Sequence, residues 1–252
     1  MQDGFNKIAV LGCSFSDYTG QPKATYGELL AKHYDAQYLD FSAGCGSNER
    51  SSRLLLTGMR QGKIDSNDLV IVQYTNPIRK EFVSNIIDYP DPNKTREIRD
   101  YYQPLDRSKS TSASIDGTIH LREAYDENHD IIKFKHDSYT FEPVTGHRAF
   151  MKMFTESYLH IDFEVELWKN LHFSLTSTLF AHKIPVIFAM TEYIHPYIRR
   201  SEFDKMLFPG QISLDLHDVV GTPQETPDFW FDVAHISEKG HETVYEYIKS
   251  HI

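Results

Sequence analysis

Cysteine and long apolar runs are both scarce in this chain. The 252 residues include only Cys13 and Cys45, which excludes a disulfide framework and favours two buried thiols over a redox-linked pair. The strongest apolar stretches, such as residues 184–190, are far shorter than the roughly 20 residues of a membrane-spanning helix. We therefore expect no membrane insertion. No apolar segment precedes the first predicted strand, so no secretory signal is predicted and a cytoplasmic location is expected.

Positive charge is in deficit as well. The sequence has 26 Lys and Arg against 36 Asp and Glu, a formal net charge of −10, whereas a protein that follows a nucleic-acid backbone needs clustered Lys and Arg. We therefore expect no nucleic-acid partner. None of the 13 histidines falls in a compact ligand motif, and the glycine-rich segment 44–48 lacks the third glycine of a dinucleotide fingerprint. Neither a metal nor another cofactor is expected.

Short apolar segments alternate with helical periodicities along the chain. The pattern predicts strands at 7–11, 36–41, 68–74, 184–190 and 211–216, and helical regions at 26–34, 48–59, 147–182 and 237–252. Such alternation favours a parallel sheet covered by helices on both faces. Residues 79–146 break the pattern, which predicts an insertion with some local structure after the third strand. The whole chain, 1–252, is expected to form a single domain.

Four short segments at strand ends, or just before the last helix, carry groups that could take part in catalysis. They are Gly12-Cys13-Ser14, Gly44-Cys45-Gly46, Tyr74-Thr75-Asn76 and Asp232-Val-Ala-His235. Each alone is explained by a turn or a helix cap. Together they supply a serine nucleophile, glycine and asparagine donors for an oxyanion, and an Asp that can orient a His to accept the serine proton.

In this order the segments resemble the four sequence blocks of the SGNH (GDSL-type) hydrolases. The resemblance implies a flavodoxin-like three-layer α/β/α fold with a central parallel sheet of about five strands. It also implies Ser14 as the nucleophile, His235 as the base and Asp232 as the carboxylate that orients His235.

The resemblance further implies an oxyanion hole formed by the N–H groups of Ser14 and Gly46 and by the Asn76 side chain, with Gly44 as the alternative to Gly46. The sequence departs from the family pattern at Cys13, Phe41, Tyr74 and Pro77. Tyr74 stands where the family has a glycine, so a bulkier side chain is expected to line the site and contact substrate. Trp230, just before the acidic residue of the fourth block, is expected to stack on a sugar ring or to fill the core beneath it.

These residues predict a serine esterase that acts on an O-acyl ester, most simply the O-acetyl ester of a sugar or glycan, through an acyl-enzyme on Ser14. The polar and aromatic composition of residues 79–146 suits a carbohydrate better than a long acyl chain. Two alternatives stay open. One is an O-acyltransferase that uses the same residues with a sugar hydroxyl as acceptor. The other is a catalytically silent carbohydrate-binding or assembly protein on the same fold.

Overall fold

The computed structural model describes residues 4–16, 22–42, 47–77, 81–83, 118–125, 131–136, 160–191, 197–232 and 235–252. The strands of these ranges are β1 (Lys7–Leu11), β2 (Gln37–Asp40), β3 (Leu69–Gln73), β4 (Glu81–Val83), β5 (Thr118–Tyr125), β6 (Ile131–His136), β7 (Val186–Met190), β8 (Ile212–Asp215), β9 (Trp230–Asp232) and β10 (His235–Ile236). The helices are α1 (Tyr26–His33), α2 (Asn48–Arg60), α3 (Ile161–Ala181), α4 (Arg200–Asp204), α5 (Leu216–Val220) and α6 (Glu238–Lys249), with a 3₁₀ turn at Pro227–Phe229.

Five parallel strands form the central sheet, in the order β2-β1-β3-β7-β8. In β1, Val10 pairs with Asp40 of β2 on one side and with Ile71 of β3 on the other. The chain thus adds β2 to one side of β1 and all later sheet strands to the other. In open parallel sheets, ligands bind beyond the carboxyl ends of the strands where this reversal occurs. The loops after β1 and β3 therefore flank the expected binding position.

Helices cover both faces of this sheet, and each face has its own apolar core. One core joins alternate sheet residues to α2, α3 and α4 through Leu54, Leu55, Trp168, Leu175, Leu179 and Phe203. The other joins the remaining sheet residues to α1, α5 and α6 through Tyr26, Leu30, Leu216, Val220, Val244 and Ile248. This three-layer arrangement confirms the predicted fold class.

Side-chain caps fix where α1, α2 and α6 begin. Thr25, Ser47 and Ser237 each accept a hydrogen bond from the N–H three residues further on, at the starts of α1, α2 and α6. Such a bond satisfies one of the donors that a helix leaves unpaired in its first turn. Because Ser47 caps α2, the side chain of the next residue, Asn48, is left for another partner.

The predicted insertion contains β structure of its own. Within residues 79–146, strands β4, β5 and β6 form an antiparallel sheet, and the rest lies outside the described residues. Its boundaries and the single-domain organisation stay predictions. The helix expected at 147–182 is seen as α3 from Ile161 onwards, and residues 147–159 are not among those described. In the ranges that the structure describes, no helix is both long enough and apolar enough to cross a bilayer.

Candidate active site

The predicted nucleophile lies in a tight turn directly after β1. The N–H of Ser16 donates to the carbonyl of Cys13 over 3.0 Å, which closes the turn around Ser14. The N–H of Cys13 donates to Oε1 of Gln73 over 2.9 Å. Within the described ranges the N–H of Ser14 has no acceptor. The turn therefore leaves the donor at Ser14 available for a substrate oxygen.

A close approach of β3 to this turn explains the glycine at position 12. A Cβ on Gly12 would lie 2.7 Å from Oε1 of Gln73 and 2.9 Å from Oγ of Ser16, closer than such atoms can pack. The same Oε1 accepts the Ser16 hydroxyl proton at 3.2 Å, and Nε2 of Gln73 donates to the carbonyl of Tyr74. One buried carboxamide thus joins the nucleophile turn to the loop after β3.

The predicted base and its orienting acid meet across a short hairpin. Asp232 of β9 pairs with His235 of β10 in antiparallel register. Nδ1 of His235 lies 2.9 and 2.8 Å from the two carboxylate oxygens of Asp232. A proton on Nδ1 is stabilised by this carboxylate, so Nε2 is the nitrogen left to accept a proton. The two strands of this hairpin were not predicted from the sequence, whereas orientation of His235 by Asp232 was.

The nucleophile turn packs against the same hairpin. Phe15 follows Ser14 and meets the ring of Trp230 edge-on, with centroids 5.9 Å apart. Ser14 and His235 form no hydrogen bond with each other in the described part of the chain. Catalytic hydrogen bonds in ligand-free structures are often long and tighten on substrate binding. The nucleophile turn and the hairpin are thus in contact, but among the described residues no hydrogen bond joins Ser14 to His235.

The loop after β3 is held by the first residue of α2. Nδ2 of Asn48 donates to the carbonyl of Thr75 over 2.9 Å, and Oδ1 of Asn48 accepts the N–H of Thr75 over 2.9 Å. Thr75 immediately precedes Asn76, which is partly exposed. The other predicted oxyanion donors, Gly44 and Gly46, lie outside the described residues.

The two aromatic residues expected to contact substrate are buried in the apolar cores. Tyr74 is fully buried, and its hydroxyl lies 2.8 Å from Nδ1 of His172. Trp230 is 7% exposed and takes the core position that was its alternative role. Apolar packing surrounds both rings, and contact of either residue with substrate stays a prediction. Phe231, by contrast, is 53% exposed and is the accessible aromatic residue next to Asp232.

Sequence reasoning missed the carboxamides of Asn48 and Gln73 and two buried histidines. Nδ1 of His241 accepts the N–H of Tyr26 over 3.3 Å, as Nδ1 of His172 contacts Tyr74 on the other face. Burial lowers the pKa of each histidine to about 3, so both are neutral. Polar residues among apolar ones were the available signal, but their partners are distant in the chain.

Among the described residues, no three His, Cys, Asp or Glu side chains are grouped to hold a metal.

Comparison with solved structures finds the same fold in a protein from Desulfitobacterium hafniense DCB-2, provisionally named a lipolytic protein of the G-D-S-L family. The match has a TM-score of 0.52 and 10% identity, and covers 98% of this chain and 99% of that one. A protein from Lactobacillus plantarum matches with a TM-score of 0.46 and 12% identity over 98% of this chain and 96% of its own. No family model matches the sequence, and no curated protein matches it. The chain therefore shares the overall fold of a G-D-S-L family protein at very low sequence identity.

Proposed function

We propose that this protein is a serine hydrolase of the SGNH type that cleaves an O-acyl ester. The observation that carries the proposal is the bond from Asp232 to Nδ1 of His235 on a hairpin that packs against the turn of Ser14. The fold shared with a protein named as lipolytic supports the same reaction class. No metal is required for this chemistry, because the nucleophile is activated by a base.

In the proposed reaction, Oγ of Ser14 attacks the ester carbonyl while Nε2 of His235 takes the hydroxyl proton. The carbonyl oxygen becomes an oxyanion, which the N–H of Ser14 and the side chain of Asn76 stabilise, with Gly46 or Gly44 as a further donor. His235 then returns the proton to the leaving alcohol. Water, deprotonated by His235, releases the acid and restores Ser14. Asp232 keeps the Nδ1 proton in place throughout.

The finer substrate assignment is an acetyl group on a sugar or glycan hydroxyl. Its support is the composition of residues 79–146 and the exposed ring of Phe231 beside the acid, since aromatic faces stack on sugar rings. Acyl transfer to a sugar hydroxyl uses the same residues, with the acceptor in place of water. Product analysis with an acetyl donor and an acceptor sugar separates the two, because hydrolysis yields acetate and the free alcohol, whereas transfer yields an acetylated acceptor.

A catalytically silent binding protein is the second candidate, because Ser14 and His235 form no hydrogen bond among the described residues. Intact-mass measurement after treatment with a small fluorophosphonate distinguishes it from a hydrolase. We expect one adduct on the wild type, none on Ser14→Ala, and an unchanged adduct on the control Ser174→Ala, whose serine is exposed on α3. A folded wild type that gains no adduct and turns over no ester contradicts the hydrolase and favours the binding protein.

A further inference from the structure

Two buried carboxamides hold one peptide group in the loop after β3. That peptide joins Tyr74 to Thr75, one residue before Asn76. Its carbonyl accepts from Nε2 of Gln73, and its N–H donates to Oδ1 of Asn48 over 2.9 Å. Both carboxamides are almost fully buried, with Gln73 1% and Asn48 2% exposed. Water does not compete for these bonds, so they fix the plane of the peptide.

The next peptide, from Thr75 to Asn76, is fixed too. Its carbonyl accepts from Nδ2 of Asn48 over 2.9 Å. The side chain of Asn48 therefore binds Thr75 on both sides, much as a neighbouring strand would bind it. This sets the direction in which the chain enters Asn76.

Each carboxamide also connects this loop to another segment of the proposed oxyanion hole. Gln73 accepts from the N–H of Cys13 over 2.9 Å, next to Ser14 in the chain. Asn48 follows Gly46 by two residues. The loop after β3 is thus linked through Gln73 to the nucleophile turn and through Asn48 to the start of α2, and neither carboxamide is itself proposed to touch substrate.

We infer that Asn48 and Gln73 are positioning residues that set the relative placement of the oxyanion donors; this inference rests on the proposed function. Donors aimed in advance at the developing negative charge lower the barrier without improving ground-state binding. Misplacement by about 1 Å can cost about 100-fold in rate. Loss of either carboxamide should therefore reduce kcat and leave KM nearly unchanged.

The test compares Asn48→Leu and Gln73→Met with Gln211→Met. Gln211 is a matched control, because its carboxamide also makes two bonds to backbone groups, accepting from Phe208 at 2.9 Å and donating to Thr176 at 2.7 Å. Gln211 lies just before the amino end of β8, whereas the proposed site lies at the carboxyl ends of the sheet strands. With p-nitrophenyl acetate, we expect kcat to fall about 10- to 100-fold for the first two variants, with KM within about twofold, and no change in the control.

A conservative variant decides the matter if the apolar ones do not fold. Asn48→Asp keeps the acceptor for the N–H of Thr75 but places an oxygen against the carbonyl that Nδ2 contacted. Burial raises the pKa of a carboxyl, and its protonated form regains a donor. We expect the kcat of this variant, relative to wild type at each pH, to recover as the pH falls.

The outcomes separate the two proposals. Wild type without Ser14-dependent turnover overturns the proposed function and this inference with it. Ser14-dependent turnover in wild type, combined with unchanged kcat in folded Asn48→Leu and Gln73→Met, overturns the inference alone. A flat ratio near one for Asn48→Asp across pH overturns it as well. Equal losses in Gln211→Met would show a general effect of stability and would also overturn it.

Discussion

The two buried histidines predict that acid destabilises this protein between pH 6.5 and about 3. His172 and His241 are both fully buried in the folded chain, and burial lowers the pKa of each from 6.5 to about 3. In the unfolded chain the same side chains titrate near 6.5. Over this range the unfolded state therefore binds more protons, so the free energy of unfolding rises with pH. The stability is fully present above pH 6.5 and is lost progressively below it.

The size of the effect follows from the two pKa values. Each histidine that is protonated only on unfolding costs roughly 1.4 kcal/mol per pH unit below 6.5. Between pH 8 and pH 5 this amounts to roughly 2 kcal/mol for each histidine and roughly 4 kcal/mol for both. A typical domain has only about 5–15 kcal/mol of stability, so a loss of this size is a large fraction of the total.

Urea unfolding at pH 8, 6.5 and 5 measures this effect. His172→Gln and His241→Gln do not titrate but keep an acceptor for the Tyr74 hydroxyl and the Tyr26 N–H. We expect each to reduce the stability difference between pH 8 and pH 5 by roughly 2 kcal/mol relative to wild type, whatever its effect at pH 8. If the double variant loses as much stability on acidification as the wild type does, the reasoning is refuted.

Two further predictions concern the site. Gly12→Ala places a Cβ 2.7 Å from Oε1 of Gln73, so we expect the free energy of unfolding in urea to fall by about 1–3 kcal/mol and the esterase kcat to decrease. The control is Gly4→Ala, whose Cβ meets nothing within 4 Å, and equal behaviour of the two variants would contradict the prediction. Asp232→Asn removes the carboxylate bound to Nδ1 of His235. We expect kcat to fall about 100-fold or more at pH 7, with an unchanged thermal unfolding temperature. Retained turnover would show that Asp232 does not orient the base.

The sheet could be predicted from the sequence because its signals are local. All five central strands coincide with predicted apolar segments, from Lys7–Leu11 to Ile212–Asp215, and alternation with helices favoured parallel pairing. Helix starts have local signals too, since the caps Ser47 and Ser237 bond N–H groups only three residues away.

Roles that depend on distant partners could not be predicted in this way. The side chain of Asn48 bonds Thr75, which is 27 positions away. Gln73 looked like the polar end of an apolar strand, yet its partner Cys13 lies 60 positions earlier. The expected role of Tyr74 came from its place in a family pattern. The position of its ring depends on packing against Trp168, His172 and Phe203.

The contact between Phe15 and Trp230 has a consequence for synthesis of the protein. It joins positions that are far apart in the chain, as does the bond from Tyr26 to His241, whose partners are 215 positions apart. The nucleophile turn leaves the ribosome well before the hairpin with Asp232 and His235, because the two segments are far apart in the sequence. Under the proposed function, a stalled or truncated nascent chain carries the serine without its base. Ester turnover would then report that translation had passed the hairpin and that the nucleophile turn had docked against it.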